Sequence, residues 1–159
     1  MNNSKIKQVI KNYGLNKYGF GSEPVEDTNS ILIFVRNNKG NAAKLLIDVK
    51  PKRKEVYLES GYTRPNKQKS GYGTVIRAIP VQAYPKFTII HAGAFKTVNN
   101  NGTMRNMNST NKLPTSTKIV RGKLGFKAYG KNCNYQSKID PNRTFNFNTI
   151  VKNFKTRSS

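Results

Sequence analysis

The chain has no tryptophan, one cysteine, one histidine and only seven acidic side chains among its 159 residues. A lone Cys133 excludes an intrachain disulfide and any zinc site built on several thiolates. A lone His91 excludes a histidine-rich metal centre, so no metal site is expected. With no disulfide to form, a reducing intracellular compartment suits the chain. Residues 1–12 lack the apolar stretch of a secretory signal, and no apolar run approaches the ~20 residues of a membrane helix. Membrane insertion is therefore not expected. The shortage of acids has the largest consequence. Against 29 Lys and Arg it leaves a net charge of +22, which attracts polyanions: nucleic acid, an acidic protein surface or a phosphorylated cofactor.

The length suits one domain able to bury about two thirds of its unfolded surface. Ile, Val, Leu, Tyr and Phe fall in strand-sized runs, enough for a core although hydrophobic residues make up only 35%. Asparagine supplies about one residue in eight and lysine far outnumbers arginine. The codons of both are A-rich, so an AT-rich genome such as that of a large DNA virus accounts for the bias, and a virion role is among those to weigh.

Residues 1–13 form a short basic helix with Ile6, Val9 and Ile10 on one face and Ser4 as N-cap, ended by Gly14. Residues 19–29 are punctuated as a loop by Gly19, Gly21, Pro24 and Asp27. Ile31–Arg36 and Ala43–Lys50 are strands joined by a hairpin-like turn. A third strand follows around Val56 and Leu58 and breaks at Gly61, so the three make an antiparallel meander. A basic turn then leads into a helix from Gly71, with Val75, Ile76, Ile79 and Ala83 at helical spacing and Pro80 set to kink or shorten it. Phe87–Phe95 reads as a buried strand and residues 97–111 as a polar, basic loop. A helix spans Thr115–Leu124 with Gly125 as its C-cap. Phe126–Tyr129 and Thr144–Asn148 supply closing strands. One domain covers residues 1–149, and 150–159 form a basic tail unable to pack.

A strand, a glycine-bearing basic turn and a helix start make a place for an anion, because the first N–H groups of a helix lack partners and its dipole favours negative charge. Gln68-Lys69-Ser70-Gly71-Tyr72-Gly73 has the form Q-x-x-G-x-G. In this setting it resembles motif A of the GNAT superfamily of N-acetyltransferases. Pro65 stands three residues before Gln68, and Ser116–Phe126 is similar to the family's last helix running into a Leu124-Gly125-Phe126 step. The resemblance covers roughly residues 31–129. It implies an α+β fold with a central, mostly antiparallel mixed sheet flanked by helices, its N-terminal part abbreviated because residues 1–29 are short for a strand and two helices. It also implies acetyl-CoA as cofactor. Backbone amides of Gln68, Lys69, Ser70, Gly71, Tyr72, Gly73 and Thr74 would hold the pyrophosphate, and the 87–95 strand would lie along the pantetheine.

Acetyl transfer also needs a base for the amine and an acid for the leaving thiolate. Glu59, late on the central strand where many family members carry glutamate, is the candidate base, and a surface carboxylate balancing lysines is its bland alternative. His91 has a suitable intrinsic pKa but stands among apolar residues, where a core histidine is the commoner outcome. Tyr72 is assigned to packing. The family's tyrosine acid falls on Arg121 and a frequent asparagine on Pro114, so Tyr129 is the candidate acid by substitution from another direction.

Two functions therefore stand. One is an acetyl-CoA-dependent N-acetyltransferase acting on a neutral or anionic amine, since the basic surface repels basic acceptors. The other is a catalytically inactive, GNAT-fold basic protein serving as a virion or nucleic-acid-binding component. An unrelated α+β nucleic-acid binder also accounts for the charge but leaves the glycine turn unexplained.

Overall fold

The alternation of apolar and polar residues in the central strands dictates a sheet with one buried face. The computed structural model describes residues 3–37, 40–63, 70–91, 96–98, 104–106, 115–128 and 136–158. The chain is α+β. Its seven-stranded mixed sheet runs β1 (Phe20–Pro24), β2 (Ser30–Asn37), β3 (Gly40–Lys50), β4 (Glu55–Thr63), β5 (Thr88–His91), β9 (Ser137–Ile139) and β8 (Lys127–Ala128) in spatial order. Neighbours pair antiparallel except β4 and β5, which run parallel and are joined through α2 (Tyr72–Ala83). Ile31, Ile33 and Val35 of β2, Leu45, Ile47 and Val49 of β3, and Val56 and Leu58 of β4 all point to the buried face. α2 covers it, and α1 (Ser4–Asn12), α3 (Thr115–Gly122) and α4 (Phe147–Ser158) each pack against α2. The opposite residues of the same strands, Leu32, Phe34, Leu46 and Tyr57, remain partly exposed. No helix among the described residues is long and apolar enough to cross a membrane.

Several expectations hold at the level of single elements. The first helix, the first two strands of the meander and the helix read from Gly71 lie where the periodicity sets them. Pro80 does not end α2, which runs on to Ala83. There the guanidinium of Arg143 donates to the carbonyl oxygens of Val81 (3.2 Å), Tyr84 (2.5 Å) and Phe87 (2.8 Å), satisfying backbone acceptors that a helix end leaves over. Gly125 has φ +83°, and the Phe126 N–H donates to the Val120 carbonyl at 2.9 Å, a left-handed cap closing α3.

Others are corrected. Residues 20–24, read as loop, are strand β1, which hydrogen-bonds to β2 in a hairpin. The opening part is abbreviated in an order of its own: α1 and a 3-10 turn (Leu15–Tyr18) precede β1, and no helix separates β1 from β2. β4 does not break at Gly61 but continues to Thr63 along β3. Within the 97–111 loop, Lys96–Val98 and Met104–Asn106 pair as an antiparallel ribbon, β6 with β7. Thr144–Asn148 is not a closing strand; β9 takes that place and Phe147 already begins α4.

The largest correction is the basic tail, which is helix α4. Phe147, Val151 and Phe154 recur at helical spacing and are buried, and the lysines occupy the outer face. Phe154 is the centre of an aromatic cluster, its ring 5.3 Å from Tyr18, 5.6 Å from Phe20 and 5.5 Å from Tyr72. Tyr72 thus packs, as assigned. Phe154→Ala is expected to cost about 3–5 kcal/mol, the range for emptying a buried aromatic site. Urea denaturation followed by circular dichroism checks it; a loss below about 1 kcal/mol would show that α4 is dispensable to the core.

Candidate functional site

The amino end of α2 is built from glycine and arginine. Gly71 stands at the N-cap with φ +91°, a conformation that L side chains rarely adopt, and no side chain caps the helix. Val75 N–H donates to the Gly71 carbonyl at 3.1 Å, while the earlier N–H groups of the turn lie ahead of the helical ladder. A Cβ on Gly71 would lie 3.4 Å from Arg157 Nη1 and 3.4 Å from Phe154 Cδ1. The helix read as a tail therefore delivers a guanidinium to the anion-seeking end of α2. Of the proposed pyrophosphate residues, Ser70, Gly71, Tyr72, Gly73 and Thr74 surround this end; Gln68 and Lys69 lie outside the described residues.

The second half of the site is on β4 and β5. In the β3–β4 register Leu46 faces Ser60 and Ile47 faces Leu58, so Glu59 is the extra residue of a β-bulge. Bulges re-aim side chains and interrupt pairing. Glu59 is exposed there, one residue after Leu58, whose parallel partner on β5 is His91. Sequence reasoning placed Glu59 and His91 in one site, and the fold brings them to the same level of adjacent strands. Tyr129 lies outside the described residues.

His91 is 6% exposed and its Nδ1 has no hydrogen-bond partner among the described residues. Burial pushes its pKa down to about 4, and the positive charges of Arg77 and Arg121 push in the same direction. At neutral pH it is therefore an uncharged, weakly basic imidazole.

Arg77 and Arg121 are the residues that sequence reasoning missed or misread. Arg77 is buried in α2, and burial lowers its pKa to about 10, so it remains a cation at pH 7. Its Nη1 donates to the Gly73 carbonyl oxygen at 2.9 Å, and Nε has no partner among the described residues. Gly61 makes the room, since a Cβ there would come to 2.5 Å from Arg77 Nη2. The signal in the sequence is an arginine in the middle of Val75-Ile76-Arg77-Ala78-Ile79, an apolar run that a solvent-facing cation does not interrupt without cause. Arg121, which stands where the family has its tyrosine, ties α3 to β9: Nε donates to Ser137 Oγ at 2.7 Å and Nη2 to the Gln136 carbonyl at 3.2 Å. Ser137 is the cross-strand partner of His91.

All seven acidic side chains lie among the described residues. Their two ion pairs join Asp48 to Lys50 at 2.9 Å and Asp140 to Lys138 at 3.7 Å. Among the described residues neither of these ion pairs involves Arg77. A buried guanidinium beside a neutral histidine favours an anionic ligand.

Comparison with protein-family models, with curated proteins and with solved structures finds no match. The functional reading therefore rests on the geometry of α2, β4 and β5.

His91 gives a clean pH test because the chain has no other histidine. Its pKa is about 4 when folded against 6.5 for a free histidine. Between those values the unfolded chain binds a proton that the folded chain refuses, so stability is fullest above pH 6.5 and declines as pH falls toward 4. The integrated loss is on the order of 3 kcal/mol. Denaturation midpoints from pH 7.5 to 4 should slope more steeply for the wild type than for His91→Gln. Parallel slopes would mean that His91 is protonated freely in the folded state.

Proposed function

We propose that the chain is a GNAT-like N-acetyltransferase that binds acetyl-CoA at the amino end of α2 and transfers the acetyl group to an amine on a neutral or anionic acceptor. The observation that carries this reading is the start of α2, which no side chain caps and where left-handed Gly71 meets the exposed guanidinium of Arg157. Backbone N–H groups and a nearby cation at a helix start suit a pyrophosphate, whereas Gly73 is buried and serves packing, the space at its Cα being filled by Arg77, Ile119 and Thr63. The resemblance of Gln68–Gly73 to motif A supports the same ligand. So does the parallel β4–α2–β5 unit, in which strand, glycine turn and helix follow in the order the resemblance implies, although the described part of β5 is paired on both edges, by β4 and β9, and its backbone is not free for pantetheine.

In this reading Glu59 is the base. Its place on a bulge directs a solvent-accessible carboxylate to the level where β5 ends its described pairing with β4. It accepts the proton from the acceptor amine, directly or through one water, as the nitrogen attacks the thioester carbon. His91 is neutral and does not compete for that proton. Arg121 cannot act as the acid, since a guanidinium holds its proton and here spends its donors on Ser137 and Gln136. Tyr129 is the remaining candidate to protonate the leaving thiolate.

A second reading, a GNAT-fold basic protein without catalysis that serves as a virion or nucleic-acid-binding component, draws on Arg121 in the place of the acid and on the net charge of +22.

Calorimetry with CoA and acetyl-CoA tests binding first. Both should bind, and Arg157→Gln should weaken them about tenfold, the scale of one hydrogen bond to a charged group. No heat and no thermal shift at about 1 mM CoA removes the enzyme reading, because even a 1 mM dissociation constant would leave half the sites filled.

Catalysis is tested separately. With an amine acceptor that turns over, Glu59→Gln should lower kcat by about 10²-fold or more and leave cofactor affinity unchanged, while His91→Gln keeps most of the activity. Identical pH–rate profiles for Glu59→Gln and the wild type would discard Glu59 as the base.

A further inference from the structure

The face of the sheet that the helices do not cover has a definite chemistry. Cross-strand register sets Gly21, Phe34, Lys44 and Tyr62 in one row over four adjacent strands, β1 to β4. Phe34 lies flat across β1: a Cβ on Gly21 would meet its ring at 2.7 Å. The guanidinium carbon of Arg36 stands 4.2 Å from the centroid of that ring. Tyr62, at 43% exposure, is the one large hydrophobic side chain among the described residues that stands well out of the surface. Lys44 projects between the two rings, exposed and without a carboxylate among the described residues to pair with. Strands are spaced about 4.8 Å, so rings on β2 and β4 are about 10 Å apart, with Lys44 midway. Among the acids of these strands, Glu23 flanks the next row and exposed Glu59 stands at the β4 bulge, three residues before Tyr62, whereas Asp48 is held by Lys50 and Glu55 accepts from the Tyr57 hydroxyl, toward the other end of the strands.

We propose that this row, Phe34, Arg36, Lys44 and Tyr62, is a binding platform for single-stranded nucleic acid. Two separated flat groups, the Arg36 guanidinium backed by the Phe34 ring and the Tyr62 ring, take a base each by stacking, which any base satisfies, and the lysine between them sits where the connecting phosphates pass. A duplex keeps its bases stacked inside and meets this face only through its phosphates, so it gains nothing from the rings. Charge complementarity selects the occupant: a chain at +22 with an aromatic row and few acids on this face suits a polyanion with exposed aromatic bases better than an apolar protein surface. The platform is independent of the acetyl-CoA site, which lies at the amino end of α2 on the helical side.

Fluorescence anisotropy on the full chain tests it, using labelled 12-nucleotide oligo-dT and oligo-U, a 12-base-pair duplex, and polyglutamate as competitor. At equal salt the single strands should bind at least tenfold more tightly than the duplex. Phe34→Ala and Tyr62→Ala should each weaken single-strand binding by about 5- to 100-fold, the worth of one stacked base, with little change in salt slope. Lys44→Gln, an exposed substitution that leaves folding intact, should lower the slope of log K against log salt by about 0.7. Circular dichroism confirms that the aromatic variants fold. Equal affinity for duplex and single strand with wild-type behaviour of folded Tyr62→Ala would overturn the platform. So would an unchanged salt slope in Lys44→Gln, absence of binding at low salt, or displacement by polyglutamate as effective as by oligonucleotide.

Discussion

The structure depends on the burial of α2. Nine of its twelve residues are buried, which is unusual for a helix lying on a sheet, where one stripe normally suffices. It is enclosed because the sheet lies under it and α1, α3 and α4 pack against its other sides. A helix so enclosed cannot leave its end groups to water, and the two ends are treated differently. At the carboxyl end Arg143 collects the leftover carbonyls. At the amino end no side chain caps the N–H groups; the chain there is glycine, and the nearest charges are Arg77 and Arg157. That asymmetry marks one end of α2 as structural and the other as open to a ligand.

A second constraint is the scarcity of carboxylates. With seven acids against 29 basic side chains, ion pairing cannot neutralise the interior, and the arginines of the core turn to neutral oxygen instead. Arg143 is held by carbonyls, Arg121 by a serine hydroxyl and a carbonyl, and Arg77 by the Gly73 carbonyl. Carbonyl dipoles satisfy donors without cancelling charge, so a positive potential persists around His91 and adds to burial, the larger effect, in keeping it neutral. The excess of basic side chains is therefore felt in the core as well as at the surface.

How much of this was legible follows from the kind of signal each element carries. Strands β2 and β3 and helices α1 and α2 show strong hydrophobic periodicity, and local pattern was enough. β1 was missed because Gly21, Ser22 and Pro24 read as loop; its strand character comes from the edge of β2 and from Phe34 lying over Gly21. α4 was legible, since Phe147, Ile150, Val151 and Phe154 follow a helical period, but the lysines between them gave the segment the look of a solvated tail. Of the candidate site, the glycine turn was named from its Q-x-x-G-x-G spacing and Glu59 from the resemblance to the family. Arg157 at the start of α2 and the Arg77–Gly61 fit depend on contacts between residues far apart in the chain, which no local pattern encodes.

The compact opening of the chain links these features to the sheet's two faces. Because β1 turns directly into β2, no helix is inserted there to reach across to the far side, and the described helices gather around α2. The covered face becomes a core, and the start of α2 at its margin is where the proposed phosphorylated ligand would meet backbone N–H groups. The uncovered face keeps strand pairing but no lid, so its side chains decide its fate. Long apolar side chains there invite association between copies, and Leu32 and Leu46 are partly exposed on this face. The row beside them interleaves rings with lysine and arginine, so like charge opposes that association while the rings remain a stacking surface. In the proposed readings, a small ligand would use backbone groups at the start of α2 and a polyanion would use side chains of the uncovered face, with Glu59 at the β4 bulge close to residues of both β3 and β4.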